Sequence, residues 1–434
     1  MDKAMKILMK LKENNFSSYI VGGAVRDGLL GHIPKDIDIA TSAKPEEVMS
    51  IFPKTYPSGI LFGTVTVLID GKEYEVTTYR KDGDYTDGRR PDKVYFGDSI
   101  EEDLSRRDFT INAMAIKTDG EILDLFGGQE DLQKRIIRCV GDPVERCSED
   151  GLRILRAFRF SARYGFEIES KTFEAIKETK ENLKNISQER IREEILKILL
   201  TDNVTPTFLS MYEAGVLEII LPEIAEMYGV EQNNPYHVYD VFYHTLKVVE
   251  NTPKDEVLRL AALFHDLGKV YTKETVDGID RFYGHHKVSK KTTKLILERM
   301  KFSNKVKNEI LELVYFHDVQ VLAKRRSVRR LLNKLEYTNL DNLLALKRAD
   351  ILGQNPKYLA RISDLEKIKE IAKSEKKLTV KDLAVNGYDM MELGFFGKEI
   401  GKILNYLLDF VIEDPSSNKK EILIEMANSV RPRG

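Results

Sequence analysis

The chain has 434 residues, 42% hydrophobic and 32% charged, which is enough for several domains with cores of their own. A formal net charge of -2 excludes a global basic field, so any nucleic-acid surface must be a local patch. Two cysteines, Cys139 and Cys147, outside any C-x-x-C spacing, exclude a disulfide framework and a zinc ribbon.

Residues 1–14 mix apolar residues with lysines at helical spacing and read as an amphipathic helix rather than a secretion signal. With no apolar run of membrane-spanning length, this predicts a cytoplasmic protein with no membrane partner. Tyr19-Ile20-Val21 reads as a strand leading into Gly22-Gly23. Lacking a Cβ, these glycines let the backbone approach a ligand, and a helix opening after them offers N–H groups to phosphate oxygens. Arg26 adds a charged donor for a triphosphate. Asp36-Ile37-Asp38 alternates as a strand does, so both carboxylates share a face. Such a pair suits Mg2+, which takes oxygen ligands and leaves positions for substrate phosphates. Two ions can hold the attacking hydroxyl and the departing pyrophosphate of a nucleotidyl transfer. Neither G-x-G-x-x-G nor a P-loop occurs.

Residues 45–52 read as a helix with Pro45 in its first turn. Residues 64–69 and 72–79 read as strands joined through Asp70-Gly71, a hairpin signal. Glu75 is either a third carboxylate beside the pair or an exposed strand glutamate. The polar stretch 82–92 reads as a mobile loop near the site. In LSRRDFTINAMA (104–115), Arg106 and Arg107 suit phosphates, and Asp108 and Asn112 suit their positioning; helix-end charges capped by Asp108 account for the stretch equally well. DLFGG (124–128) forms a turn, and from about residue 136 the strand signal gives way to helix. The fold class is therefore α+β: a small α/β head on a mixed sheet, then a helical remainder.

SEDGLRILRAFRF (148–160) reads as a helix with Ser148 as N-cap and with Asp150, Arg153 and Arg156 along one side. An ion-pair ladder on a solvated face is one reading. Base recognition is the other. An accepting aspartate and a donating arginine match the Watson–Crick edges of cytosine and adenine, whereas uracil and guanine leave buried groups unpaired at a high desolvation cost. The same row, through Arg156 and Arg159, could help hold triphosphates.

GGAVRD, DIDIAT, RRDFTINAMA, DLFGG and EDGLRILRAFRF, in this order, resemble class II tRNA nucleotidyltransferases, the CCA-adding enzymes, and the similar bacterial poly(A) polymerases. The resemblance implies that Asp36 and Asp38 are catalytic and hold Mg2+, and that Gly23 and Arg26 contact the nucleotide. It also implies that Arg107, Asp150, Arg153, Arg156 and Arg159 complete the nucleotide site, and that tRNA, CTP and ATP are the substrates. Its organisation of head, neck, body and tail implies that residues 190–200 continue the neck. The loop at 82–92 resembles the flexible loop that such enzymes use for the final adenosine.

A second constellation lies in residues 237–350. Every histidine except His32 falls between His237 and His317, and His with Asp suits a transition metal that activates water. The order resembles the HD phosphohydrolase domain. That resemblance nominates His244, His265, Asp266 and Asp350 as basic metal ligands, with His285 and His317 completing a second position for a divalent metal. Phosphate monoesters or 2′,3′-cyclic phosphates at RNA ends are the implied substrates; a degenerate HD fold that only supports RNA binding is the other reading. Lys324, Arg325, Arg326, Arg329 and Arg330 form a basic run suited to RNA phosphates or to a solvated helix face.

The expected domains are a head at 1–135, a neck at 136–200, a body at 201–236, the HD domain at 237–355 and a helical tail at 356–434. By resemblance the tail grips tRNA, with Lys419, Lys420, Arg431 and Arg433 near its end. The expected function is template-independent CCA addition. The alternatives are a poly(A) polymerase, disfavoured by the pI near 6.5, and an RNA-end phosphohydrolase whose head only binds.

Overall fold

The computed structural model describes residues 2–34, 36–82, 94–97 and 99–430, with the side chains at 81, 82, 94 and 95 outside the description. Residues 83–92 of the expected loop, Arg431 and Arg433 lie outside the described residues. The chain divides into two compact units, residues 1–225 and 226–434.

The first unit opens with α1 (Asp2–Glu13). Its Ala4, Ile7, Leu8 and Leu11 recur at i, i+3, i+4 and i+7, and all four are buried. The strand β1 (Ser18–Val21) leads into α2 (Gly23–Leu29), then β2 (Asp38–Thr41), α3 (Pro45–Ile51), β3 (Thr55–Gly59), β4 (Thr64–Ile69) and β5 (Lys72–Thr78). Asp70 and Gly71 both take positive φ, 47° and 76°, as the tight hairpin between β4 and β5 requires. A ribbon of β6 (Arg80–Asp82) and β7 (Val94–Phe96) precedes α4 (Ile100–Ser105), β8 (Met114–Ile116), β9 (Ile122–Asp124) and α5 (Gly128–Lys134). The sheet is mixed, in the order β3-β4-β5-β2-β1-β8-β9. Only β2 and β5 pair in parallel; the other neighbours are antiparallel. Ile20, Ile39 and Val76 form a dry row on one face. On the other face Val21, Ala40, Tyr79 and Ala115 pack with Ile100 and Leu104 of α4.

Past the sheet the unit is helical apart from a two-residue parallel pairing, Ile136–Ile137 with Glu167–Ile168. The helix expected at 148–160 is two helices, α6 (Pro143–Glu149) and α7 (Leu152–Tyr164). Ser148 therefore sits inside α6 and is no N-cap; Asp142 caps that helix, accepting from the Val144 and Glu145 amides. The chain breaks at Asp150, whose carboxylate accepts from the Leu152 amide at 3.0 Å. A Cβ on Gly151 would stand 2.9 Å from the Asn182 carbonyl oxygen, so only glycine lets the break pack. Further on come α8 (Ser170–Thr179) and α9 (Gln188–Leu199).

Among its described residues the second unit is helical except for a hairpin, Glu274–Val276 with Ile279–Arg281. Asp277 and Gly278 turn it with positive φ. Helices Val241–Asn251, Glu256–Phe264, His285–Arg299, Asn304–Phe316 and Leu340–Leu352 surround the histidine cluster. Nearer its end, helices Lys398–Glu413 and Lys420–Ser429 share a core with Met390, Phe395, Leu407 and Leu423.

Candidate active site and a second, histidine-lined centre

The first site stands where β1, β2 and β5 lie side by side. Asp38 opens β2 opposite Val21 of β1 and opposite Glu75 of β5. Partners in register project to the same face, so Glu75 joins the aspartate pair. The electrostatics agree. Partial desolvation raises the Asp38 carboxyl, Asp36 raises it further, and only Arg107 opposes. Glu75 is likewise raised by desolvation, then by Asp38 and Asp36. Asp36, Asp38 and Glu75 form an all-oxygen donor set that fits Mg2+.

Arg107 is held over this set by Asp103, a residue the sequence reading passed over. Asp103 is buried and accepts from Arg106 Nη2 at 2.6 Å and Arg107 Nη2 at 3.0 Å. Burial pushes its carboxyl up, but the two arginines outweigh that and hold it low. Gly22, at φ 68°, lies directly under Arg107: a Cβ there would stand 2.8 Å from Nη1. The turn therefore needs glycine for its conformation and for the guanidinium above it.

Arg26 is buried, and its guanidinium is engaged on several sides. Nε donates to Asp27 Oδ1 at 2.9 Å, Nη1 donates to Asn112 Oδ1, and Phe160 and Tyr164 of α7 lie about its plane at 5.1 and 5.0 Å. Asp27 also accepts from Arg163 Nη2 at 3.1 Å and Tyr164 Oη at 2.8 Å. Asn112 Nδ2 donates to Asp108 at 2.9 Å, and Arg156 Nε donates to its other oxygen at 2.7 Å. Burial pushes the Asp108 carboxyl up, yet Arg156 and Asn112 win and hold it at about 2.

The expected base readers do not pair with each other. Asp150 forks with Arg190 of α9, while Arg153 bonds Glu149 and donates to the Arg146 carbonyl at 3.0 Å. Arg159 pairs with the buried Glu194 at 2.6 Å. Gly23, Arg26, Arg107, Arg153, Arg156 and Arg159 thus belong to one connected region around the head and α7, with Asp150 at its hinge.

In the second unit, the six nominated ligands come together. Asp266 Oδ2 lies 3.3 Å from His244 Nε2 and 3.1 Å from His265 Nε2. Asp266 Oδ1 lies 3.3 Å from His285 Nε2 and 3.6 Å from His317 Nε2. Asp350 stands 3.2 Å from His244 Nε2. The four Nδ1 atoms all face backbone carbonyls, those of Gly353, Ala262, Phe282 and Val314, at 2.7–3.1 Å. Each Nδ1 is therefore the donor, and each Nε2 is turned to the centre, as metal-binding histidines are arranged. His285 and His317 bring their Nε2 atoms to 3.1 Å from each other. His244 Nε2 and His265 Nε2 are buried without an aligned hydrogen bond. This donor set fits a divalent transition metal.

Burial pushes His244 down, but Asp266 and Asp350 outweigh it and lift the group to about 9; burial takes His317 down to about 4. Beside these lie three residues the sequence reading did not select. Lys269 Nζ lies 2.7 Å from Asp266 Oδ2 as an ion pair, and donates to Gln232 Oε1 at 2.8 Å and to His237 Nε2 at 3.4 Å. Burial, then Lys269, pushes His237 down to about 2, so its ring is neutral. Lys269 follows Asp266 by one helical turn, which was its sequence signal. His237 carried none beyond its residue type.

The basic run is largely spent on ion pairs. Arg326 and Arg330 both bind Glu413, and buried Arg329 binds Glu375 at 2.8 Å and donates to the Ile412 carbonyl at 2.7 Å. No helix among the described residues is long and apolar enough to cross a membrane.

The sheet, the Gly-Gly turn and the carboxylates define a nucleotidyltransferase, and residues 18–138 match the family described as the poly A polymerase head domain. Residues 165–228 match the probable RNA and SrmB-binding site of polymerase A, and residues 279–427 the putative domain 2 of tRNA nucleotidyltransferase. The CCA-adding enzyme of Ligilactobacillus salivarius is 36% identical over 430 residues, covering 99% of this chain and 96% of the relative. That of Anoxybacillus flavithermus is 35% identical and covers 98% and 96%. That of Lactobacillus helveticus is 54% identical, but the match spans 45% of this chain and only about half of the relative's length, 49%. The crystal structure of the Bacillus stearothermophilus CCA-adding enzyme in complex with CTP superposes with a TM-score of 0.74 at 31% identity, covering 99% of this chain and 96% of that one. The chain belongs to the CCA-adding enzyme family.

Proposed function

We propose that this protein rebuilds tRNA 3′ ends by adding C, C and A from CTP and ATP without a nucleic-acid template. The reading rests on Asp38 lying in register with Glu75, with Asp36 close enough to raise both and Arg107 set above Gly22. Mg2+ bound by Asp36, Asp38 and Glu75 would lower the pKa of the tRNA 3′-hydroxyl and neutralise charge on the departing diphosphate. The 3′-oxygen forms a bond to the α-phosphorus as the bond to the bridging oxygen of the β-phosphate breaks. Arg107 would meet the negative charge that develops there. Asp150 keeps a free lone pair on its carboxylate while Arg190 holds it, so it can accept from the amino group of cytosine or adenine. Arg153, Arg156, Arg159, Gly23 and Arg26 shape the remainder of the nucleotide site. A cytoplasmic setting follows from the same reading, since tRNA is processed where these nucleotides are held.

Incubation with a tRNA lacking its 3′ end, Mg2+ and separately labelled CTP and ATP tests this, with the new ends sequenced. The expected product ends in CCA, and Asp38→Ala abolishes incorporation while tRNA binding persists. A run of adenosines with no CTP incorporated would instead identify a poly(A) polymerase.

A second activity is proposed for the centre in the second unit. The close approach of the His285 and His317 Nε2 atoms, and the shared reach of Asp266 to four histidines, support an HD-type site for a divalent metal. His244, His265, Asp266 and Asp350, with His285 and His317, would hold it. When bound, such a metal supplies an activated water for phosphate-ester hydrolysis. Phosphate release from RNA-end monoesters or 2′,3′-cyclic phosphates should vanish in His265→Ala. Release that is undiminished in that variant overturns the assignment.

A further inference from the structure

We infer that Gln232, Lys269 and His237 form a phosphate-binding subsite beside the histidine centre, in which His237 donates from Nδ1 to an oxygen of the bound phosphate. The inference rests on the reading of that centre as a metal-dependent phosphohydrolase.

An ammonium group has three N–H donors and no lone pair. Lys269 donates to Gln232 Oε1 and His237 Nε2 at 2.8 and 3.4 Å, and lies 2.7 Å from Asp266 Oδ2 as an ion pair. His237 Nε2 therefore accepts, and the single proton of the neutral ring sits on Nδ1. This is the opposite tautomer from His244, His265, His285 and His317, each of which donates from Nδ1 to a carbonyl. Four rings are set up as ligands and the fifth as a donor. His237 Nδ1 is nevertheless buried with no partner. A buried donor is costly to leave unsatisfied, so the site is complete only with an acceptor that arrives from outside.

The position suits a substrate. The His237 ring packs edge-on against His244, centroid to centroid 4.8 Å, one ring away from a metal ligand. The segment that carries it is fixed: the Asn355 amide donates to the Tyr236 carbonyl at 2.8 Å, and Asn355 Nδ2 donates to the Pro235 carbonyl at 3.2 Å. Neighbouring Gln354 donates to Asp350 at 3.1 Å, so donor and ligand are anchored by one stretch of chain. An acceptor beside a buried ammonium is favoured when it is anionic. At a centre that hydrolyses phosphate esters, that acceptor is a phosphate oxygen.

The test uses the full chain loaded with Mn2+, with metal content measured by plasma mass spectrometry on every sample. Binding of radiolabelled orthophosphate and of a nucleoside 3′-monophosphate is followed by equilibrium dialysis. His237→Phe, which keeps a flat ring but no donor, should weaken both ligands at least tenfold at unchanged metal content. His237→Asn, whose amide nitrogen can stand near Nδ1, should restore most of the binding. His237→Phe protein that keeps its metal and binds orthophosphate normally overturns the subsite alone, as does equal loss in His237→Phe and His237→Asn. Loss for the nucleotide but not for orthophosphate also overturns it. Unsubstituted protein that takes up no metal overturns the reading of the centre, and the subsite with it.

Discussion

Asp150 is gripped by Arg190, not by Arg153. The guanidinium of Arg190 approaches with Nη1 3.3 Å from Oδ1 and Nη2 2.8 Å from Oδ2. Such a fork fixes the plane of the carboxylate as well as its position. Because α6 ends at Asp150 and α7 begins at Leu152, no helix backbone holds this side chain from both sides. Arg190→Lys keeps the charge and loses the fork. We expect it to lower the preference for CTP over UTP by about tenfold, or about 1.4 kcal/mol. The ratio of kcat/KM values for the two nucleotides measures it; an unchanged ratio would show that the Arg190–Asp150 fork does not govern base choice.

Asp108 ties Asn112 to Arg156 from a buried position. Its carboxyl is held at about 2, below the ordinary value of 3.8, so the protein gains stability from it above about pH 4 and loses that gain as pH falls toward 2. The depression corresponds to about 2 kcal/mol. Asp108→Asn should lower stability at pH 7 by roughly that amount, with the difference shrinking on acidification. Urea unfolding at pH 7 and pH 3 reads both effects.

Glu75 carries the opposite sign. Its pKa is raised, so ionising it disfavours the folded state, and the strain grows as pH rises through its titration. Without Mg2+, Glu75→Gln should melt higher than the unsubstituted protein at pH 7 and no higher in acid. With Mg2+ the order at pH 7 should reverse, because the unsubstituted protein alone keeps three carboxylates for the ion. Thermal melts with and without 10-fold steps of Mg2+ decide this; a gain that Mg2+ leaves untouched would place Glu75 outside the ion site.

His244, lifted to about 9 by Asp266 and Asp350, carries a proton at neutral pH when no metal is bound. That proton favours the folded metal-free protein below about pH 6.5, and the benefit fades as pH rises toward 9. Metal uptake must displace it, since a ligand nitrogen is unprotonated. Calorimetry of Mn2+ binding in buffers of different ionisation enthalpy should show about one proton released at pH 7.5 and markedly less above pH 9. Removing the metal with a chelator should return the proton and lower the melting temperature.

The parts of the molecule that were legible in the sequence are those governed by local pattern. Asp70-Gly71 and the buried stripe of α1 announce their geometry through turn chemistry and period; of the aspartate pair only Asp38 lies on the expected strand, since β2 opens there and Asp36 sits in a bend before it. The six metal-type ligands were legible by order, although they converge from helices far apart in sequence. What stayed hidden depended on long-range partners. Nothing in positions 103 or 190 reveals that Asp103 carries Arg107 or that Arg190 carries Asp150. Glu75 was ambiguous until the parallel pairing of β2 with β5 set its register against Asp38. The single helix read through 148–160 failed because Gly151, a weak breaker alone, meets the Asn182 carbonyl.

Glu413 receives both Arg326 and Arg330, and Glu375 receives Arg329. Cations already matched in this way release few bound counter-ions when RNA arrives. A plot of log affinity against log salt should therefore slope less steeply than five basic side chains would give. Substituting Glu413 by glutamine would set two of those charges loose and steepen it.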